Sequence, residues 1–437
     1  MGIVFRLAAK ARGGHTAAAM LYDRWRALVR RSPDAPAWVD PDPDATMTFA
    51  ELAAAAERVD AGTGPWVFPR GHSVDFVLAV LSAWRHGKTV CPLEPYQAIP
   101  ALPTPPPGMA HLKFTSGSTG APRGIAFTQS QIAADAGHIV STMGLRPEWP
   151  NLGVISLAHS YGFSNLVTPL LLHGIPLVRV PAPLPELLQR AAAGRDAVTL
   201  PAVPALWRAW HDAGCIPGCV RIALSAGAPL PLGLEQAVYA RSGLKLHNFY
   251  GASECGGIAY DRTETPRTDE RVTGTALDGV TLAAEPGGCL EVRGVAVGNG
   301  YWPESDPALA DGCFRTSDWV EIGESGAVRW LGRSADVVNV AGRKLAPETV
   351  ETALRSHAGV RECVVFGVEA PDDPRGELLV ACVEAPGVAI AELRAHAAAR
   401  LPAWQVPREW WAVDTLGTGN RGKISRSEWR AKWRLTR

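Results

Sequence analysis

The chain has 437 residues, 47% hydrophobic and 20% charged, and its 43 Lys+Arg balance 43 Asp+Glu. That length exceeds one hydrophobic core and calls for two or more domains, while zero formal net charge excludes a global field that would draw nucleic acid or an anionic membrane. No apolar run approaches a membrane span, and residues 1–20 fit neither a secretory signal nor, with Arg6 where Ser or Thr is required, a myristoylation motif.

The first third alternates helical and strand patterns. Leu21 to Arg31 reads as a helix, and Thr48-Phe49-Ala50-Glu51 is a capping box opening a helix from Ala50 to Val59. Trp66 to Phe68 predicts a short strand, Ser73 to Arg85 a helix and Thr89 to Leu93 a strand; a proline-rich passage, Pro100 to Pro107, follows. After it, His111 to Phe114, Val154 to Leu157, Leu177 to Val180, Ala197 to Leu200 and Arg221 to Ser225 predict strands. Helical patterns at Thr128 to Met143, Leu184 to Ala192 and Val203 to Ala213 separate them, the rhythm of a mainly parallel sheet with helices on both faces. Between Gly274 and Trp330 short strands and Gly-rich turns predict a β-rich subdomain. Beyond about Gly332 the pattern restarts: helices at Pro347 to Ser356 and Ala389 to Leu401, and strands at Glu362 to Val368 and Leu378 to Val383, suit a small α+β unit. The fold class expected is α/β, a large N-terminal domain over 21–332 and a small, mobile C-terminal domain over 333–437, preceded by an extension over 1–20.

The eight cysteines are scattered, and the one close pair, Cys215 and Cys219, lacks a second pair or histidines at zinc spacing. They read as buried thiols in a reducing compartment, the cytoplasm.

Several motifs carry chemistry. In Phe114-Thr115-Ser116-Gly117-Ser118-Thr119-Gly120-Ala121-Pro122-Arg123-Gly124 a strand empties into small residues and hydroxyls before a cation. Such a loop can close backbone N–H and side-chain hydroxyls around phosphate oxygens, or serve as a plain connector. It lacks the Gly-Lys-Ser/Thr ending of a P-loop. Asn248-Phe249-Tyr250-Gly251-Ala252-Ser253-Glu254 offers an aromatic face, a hydroxyl and a hard oxygen for magnesium; the same residues also suit a core tyrosine and a solvated glutamate. Ser225 to Leu230 is a strand end of small residues, open to a flat ring or only a turn. Asp318, in Thr316-Ser317-Asp318, could accept from ribose hydroxyls or merely shape a turn. Gly332 to Asp336, then Gly342-Arg343-Lys344, Glu348 and Glu351, lie at the expected boundary, as a cross-lobe contact or a solvated linker. Lys423, in Gly419 to Ile424, is either a mobile charge or a cation for a transferring phosphoryl group.

In this order and spacing, from about Leu21 to Arg426, these motifs resemble the adenylate-forming superfamily of acyl-CoA synthetases, peptide adenylation domains and luciferases. The resemblance implies a reaction in two halves: a carboxylate attacks the α-phosphate of magnesium ATP to give acyl-AMP and pyrophosphate, and a thiol of CoA or of a carrier-protein phosphopantetheine takes the acyl group. It implies that Thr115, Ser116, Gly117, Ser118, Thr119 and Gly120 hold the outer phosphates, helped by Arg123 where the family usually has lysine. Gly227, Ala228, Asn248 and Tyr250, with Gly251, match the adenine pocket; Ser253 an α-phosphate contact; Glu254 the magnesium ligand; Asp318 and Arg333 the ribose pair; Lys423 the adenylation lysine. His159, Tyr161 and Phe163 match the acyl-pocket segment. No aspartate stands in Leu157 to Asn165 for an α-amine, so an aliphatic or aromatic acid without an amine is expected.

Two features depart from the family. Ala335 stands where a hinge Asp or Lys is usual, which with Arg123 in place of lysine leaves open a degenerate nucleotide- or adenylate-binding protein that forms no thioester. The stretch before the phosphate loop is also shorter than in most relatives. Any carrier protein is expected to act in trans.

Overall fold

A computed structural model describes residues 20–41, 44–114, 123–284, 288–340, 343–369, 377–417 and 424–436. Both entry helices that flank the first core are fixed by reciprocal caps. Thr48 Oγ1 accepts from Glu51 N at 3.2 Å while Thr48 N donates to Glu51 Oε2 at 2.8 Å, opening helix Phe49–Arg58. Thr128 and Gln131 repeat the arrangement at the head of helix Gln129–Met143, which starts two residues after strand Gly124–Phe127.

The large domain is built on two sheets. Strands Pro36–Pro41, Leu177–Arg179, Asn151–Gly153, Val198–Ala202, Val220–Ser225 and Leu246–Ala252 run parallel in one half of a 14-stranded sheet. At Leu246–Ala252 the pairing changes hand: its other neighbour, Gly256–Tyr260, is antiparallel, and antiparallel strands from Val272 to Arg333 continue from there. The expected β-rich subdomain is therefore an extension of the parallel sheet. The second sheet orders Gly300–Trp302, Gly124–Phe127, His111–Phe114, Thr89–Val90 and Trp66–Val67. Trp25, Phe49, Phe76, Phe127 and Phe163 form the first core, and Trp207, Trp210, Leu200 and Val220 the second. Each such side chain, fully withdrawn from water, contributes about 1.5–3 kcal/mol.

One predicted strand is shifted. Pairing with Leu177–Arg179 covers Asn151–Gly153, and the Val154 to Leu157 segment is irregular. The buried Asn151 explains the shift: its Nδ2 donates to Asn165 O at 3.0 Å, so a polar residue that broke the apolar pattern belongs inside the strand.

The smaller C-terminal domain has its own core of Val338, Val350, Val365, Leu379 and Leu393, between sheet Glu362–Glu369, Glu377–Glu384, Glu409–Ala412 and helices Pro347–Arg355 and Ile390–Ala398. Among the described residues no helix is long and apolar enough to cross a membrane.

Candidate active site

The site residues gather at the carboxyl ends of the parallel strands, next to the place where the sheet turns antiparallel. In open α/β sheets ligands bind outside the carboxyl ends of the strands. Ala202, Ser225 and Asn248 are in register across three neighbouring strands. Beyond Ser225 the chain turns through Gly227 at φ +86°, a left-handed conformation that glycine adopts without strain. Ala228 lies in the same turn, and the strand bearing Asn248 continues through Tyr250 and Gly251 to Ser253 and Glu254.

Tyr250 and Asp318 are linked directly. The phenol donates to Asp318 Oδ2 at 2.5 Å, and Arg333 Nε donates to Asp318 Oδ1 at 3.2 Å. The second contact follows from strand register, which pairs Asp318 with Arg333. Burial, and the Asp318 carboxylate beside it, hold the Tyr250 phenol well above its ordinary pKa, so it is a donor at any physiological pH. Each Asp318 oxygen keeps a lone pair beyond the bond it accepts, as a ligand with two hydroxyls requires.

Glu254 is the hard oxygen of the cluster. Tyr301 Oη donates to its Oε1 at 3.0 Å, and its own main-chain N–H also bonds the carboxylate. Burial raises the Glu254 pKa, and the bond from Tyr301 works against that rise. Among the described residues no group of three or more His, Cys, Asp or Glu could hold a metal ion alone. A single carboxylate fits magnesium, which commonly takes most of its ligands from phosphates and water. Arg123 stacks its guanidinium 3.7 Å from the Tyr301 ring centroid and donates to Asp306 Oδ2 at 2.9 Å. The phosphate-loop residues Thr115, Ser116, Gly117, Ser118, Thr119 and Gly120, and Lys423, lie outside the described residues.

The acyl-segment residues take three different positions. His159 is exposed and caps a helical turn, its Nδ1 accepting from Tyr161 N at 3.4 Å. Tyr161 points its hydroxyl at Ala202 O and Leu224 O, at 3.4 and 3.5 Å, and so plugs the ends of two parallel strands. Phe163 is 1% exposed and packs in the first core, 4.4 Å from the His111 ring, rather than lining an open pocket. Between them Ser160 Oγ donates to Ser253 Oγ at 3.1 Å, tying this segment to the Glu254 turn.

Sequence reasoning missed Tyr301, Asp306 and a buried pair of polar residues below the site. Lys113 is 5% exposed with its ammonium 4.7 Å from the Phe127 ring centroid, and burial lowers its pKa. Asp135 accepts from Ser164 Oγ at 2.6 Å and from Gly257 N at 3.2 Å, filling space that glycine at 256 leaves free. The His-Leu-Lys-Phe pattern was the available signal for Lys113, since a lysine between apolar strand residues stands out; Tyr301, 47 residues from Glu254, left none.

The boundary motif is also resolved into contacts. Arg426 holds Glu351 through Nη2 at 2.8 Å, Asp336 through Nη1 at 2.8 Å and Glu348 through Nη1 at 2.5 Å. Three carboxylates share one guanidinium, and burial pushes the Glu348 carboxyl up to about 7. Gly332 lies against this cluster, where a Cβ would approach Glu348 Oε2 to 2.5 Å.

The AMP-binding enzyme family matches residues 84–302, and the AMP-binding enzyme C-terminal domain matches residues 349–423. A probable 2-succinylbenzoate–CoA ligase of Mycobacterium tuberculosis is 32% identical over 330 residues, 72% of this chain and 82% of that protein. Anthranilate–CoA ligase of Pseudomonas aeruginosa is 29% identical over 360 residues, 74% of this chain and 67% of that one. The fold is similar to ATP-bound MatB from Rhodopseudomonas palustris, with a TM-score of 0.84 at 20% identity, covering 96% of this chain and 99% of that one. It is likewise similar to o-succinylbenzoate CoA synthetase of Bacillus subtilis in complex with its acyl-adenylate intermediate, with a TM-score of 0.81 at 20% identity over 93% of this chain and 97% of that one. The chain belongs to the AMP-binding enzymes, the adenylate-forming superfamily, and within it to the acyl-CoA synthetase type.

Proposed function

We propose that this protein joins a carboxylic acid to a thiol in two steps on one site. The acid oxygen attacks the α-phosphorus of ATP, the bond to the bridging oxygen breaks, and pyrophosphate leaves; the thiol sulfur then attacks the acyl carbon and AMP leaves. The observation that carries the reading is the bonded chain Tyr250–Asp318–Arg333 set beside Ser253 and Glu254 where the sheet turns antiparallel. It supports an adenine face at Tyr250, with Gly227, Ala228, Asn248 and Gly251 around it, and a ribose acceptor at Asp318 flanked by Arg333.

Ser253 serves as the α-phosphate hydroxyl, and Arg123 with Thr115 to Gly120 as the cradle of the outer phosphates. Glu254 holds magnesium, which when bound neutralises phosphate charge. Lys423 stabilises the negative charge that builds as the acid meets the α-phosphorus. The lobe boundary falls at Gly332–Arg333, between the two family matches, and the 333–437 lobe moves to bring Lys423 in.

The acid is aliphatic or aromatic and lacks an α-amine; the relatives named for 2-succinylbenzoate and anthranilate favour the aromatic side. His159 and Tyr161 face it, with Phe163 as backing from the core. The thiol is CoA, as in the relatives' names, or the phosphopantetheine of a carrier protein acting in trans in the cytoplasm.

Acid-dependent ATP–pyrophosphate exchange over a panel of carboxylic acids, with and without CoA, tests the reading. At least one acid should support exchange, and Lys423→Ala should slow it about 100- to 1,000-fold, the effect of removing one positioned electrostatic donor. Undiminished exchange in that variant would rule out the assigned mechanism.

A further inference from the structure

We propose that Tyr301 is a positioning residue that aims the Glu254 carboxylate at the magnesium of bound ATP. The inference rests on the nucleotide reading given above and extends it to a residue from a different sheet. Three contacts converge on this phenol. Its hydroxyl donates to Glu254 Oε1 at 3.0 Å, which fixes the turn of the carboxylate plane. The Arg123 guanidinium covers its ring at 3.7 Å, and Asp306 Oδ2 accepts from that guanidinium at 2.9 Å, so the ring has little freedom to tilt.

The backbone around it is equally constrained. Gly300, Tyr301 and Trp302 pair with Ala126, Ile125 and Gly124, Asn299 N donates to Ala126 O at 2.8 Å, and Gly298 N donates to Glu254 O at 2.8 Å. Glu254 is thus held twice by one short segment, by its main chain through Gly298 and by its side chain through Tyr301. That same segment seats the cation that follows the phosphate loop.

A carboxylate that supplies only one ligand to a metal gains most from such support. Its useful orientation is a small part of its rotamer range, and outer partners that fix a ligand are typically worth 10- to 100-fold in metal affinity. The hydroxyl therefore orients, while the ring serves as the seat for Arg123. Tyr301→Phe separates the two, because it keeps the ring and removes only the donor.

ATP binding to the full-length protein is measured by calorimetry twice, once with excess EDTA and once at saturating magnesium. For the wild type, magnesium should tighten ATP binding. For Tyr301→Phe the metal-free affinity should stay within about twofold of wild type, and the magnesium enhancement should fall about 10-fold. Glu254→Gln should remove most of the enhancement, and adding Tyr301→Phe to it should change nothing further, as expected for residues acting through one another. An undiminished enhancement in Tyr301→Phe overturns the inference. So does an equal loss of affinity in both arms, or full additivity in the double variant, since each marks a structural role. Absence of ATP binding by the wild type in both arms would instead overturn the nucleotide reading itself, and this inference with it.

Discussion

Asp318 offers the sharpest test of the nucleotide site. It is 8% exposed and accepts from a phenol at 2.5 Å and a guanidinium at 3.2 Å, so its carboxylate is fixed before any ligand arrives. Hydrogen bonds to a charged acceptor contribute about 1.5–3 kcal/mol each. If the two ribose hydroxyls use this carboxylate, together about 3–6 kcal/mol, Asp318→Ala weakens ATP binding on the order of 100- to 10,000-fold at 1.4 kcal/mol per decade. The assay is a cycle with two ligands, ATP and 2′,3′-dideoxy-ATP, titrated calorimetrically against wild type and variant. Wild type should prefer ATP by that factor, and Asp318→Ala should bind the two alike. Asp318→Asn, which still accepts from Tyr250, should fall between them. A variant that keeps the full preference for ATP would refute the assignment, because the discriminating group would then lie elsewhere.

Two further outcomes concern the frame of the site. Lys245 donates to Asp261 Oδ2 at 2.5 Å and to Glu235, which also accepts from Arg267 Nε at 2.8 Å; all four side chains are buried. Lys245→Met strands buried carboxylates and should lower stability by about 3–5 kcal/mol, read as a shift in the urea midpoint. Glu348 gives a pH signature. Its carboxyl, raised to about 7 by burial, is protonated more readily folded than unfolded, so its stabilising effect is complete below about pH 4.5 and is lost as pH rises through 7. Wild type should lose up to about 3 kcal/mol relative to Glu348→Gln between pH 4.5 and 8 in urea titrations, and parallel pH profiles would exclude the effect.

Much of the fold was legible in the sequence because its signals are local. Capping boxes at Thr48 and Thr128, apolar helix faces and short β runs identify elements through neighbouring residues. The motifs at Tyr250, Ser253, Glu254, Asp318 and Arg333 were legible as a series, yet their contacts were not. That Tyr250 would donate to Asp318, 68 residues away on a strand that does not neighbour its own, is encoded in no local pattern. The same limit hid Tyr301, whose strand joins the smaller sheet while its hydroxyl reaches the larger one. Phe163 shows the opposite error: a segment can match a pocket while alternate side chains turn inward to the core.

The short segment 298–302 has a consequence for how this enzyme tolerates sequence drift. It is stitched at one end to the Glu254 main chain and along its length to Gly124–Phe127, so it ties the two sheets together beside Glu254. Repacking that widens this seam by a fraction of an ångström moves an anion and a cation apart together. Volume changes in the interior beneath the seam are therefore expected to show in nucleotide binding before they show in folding.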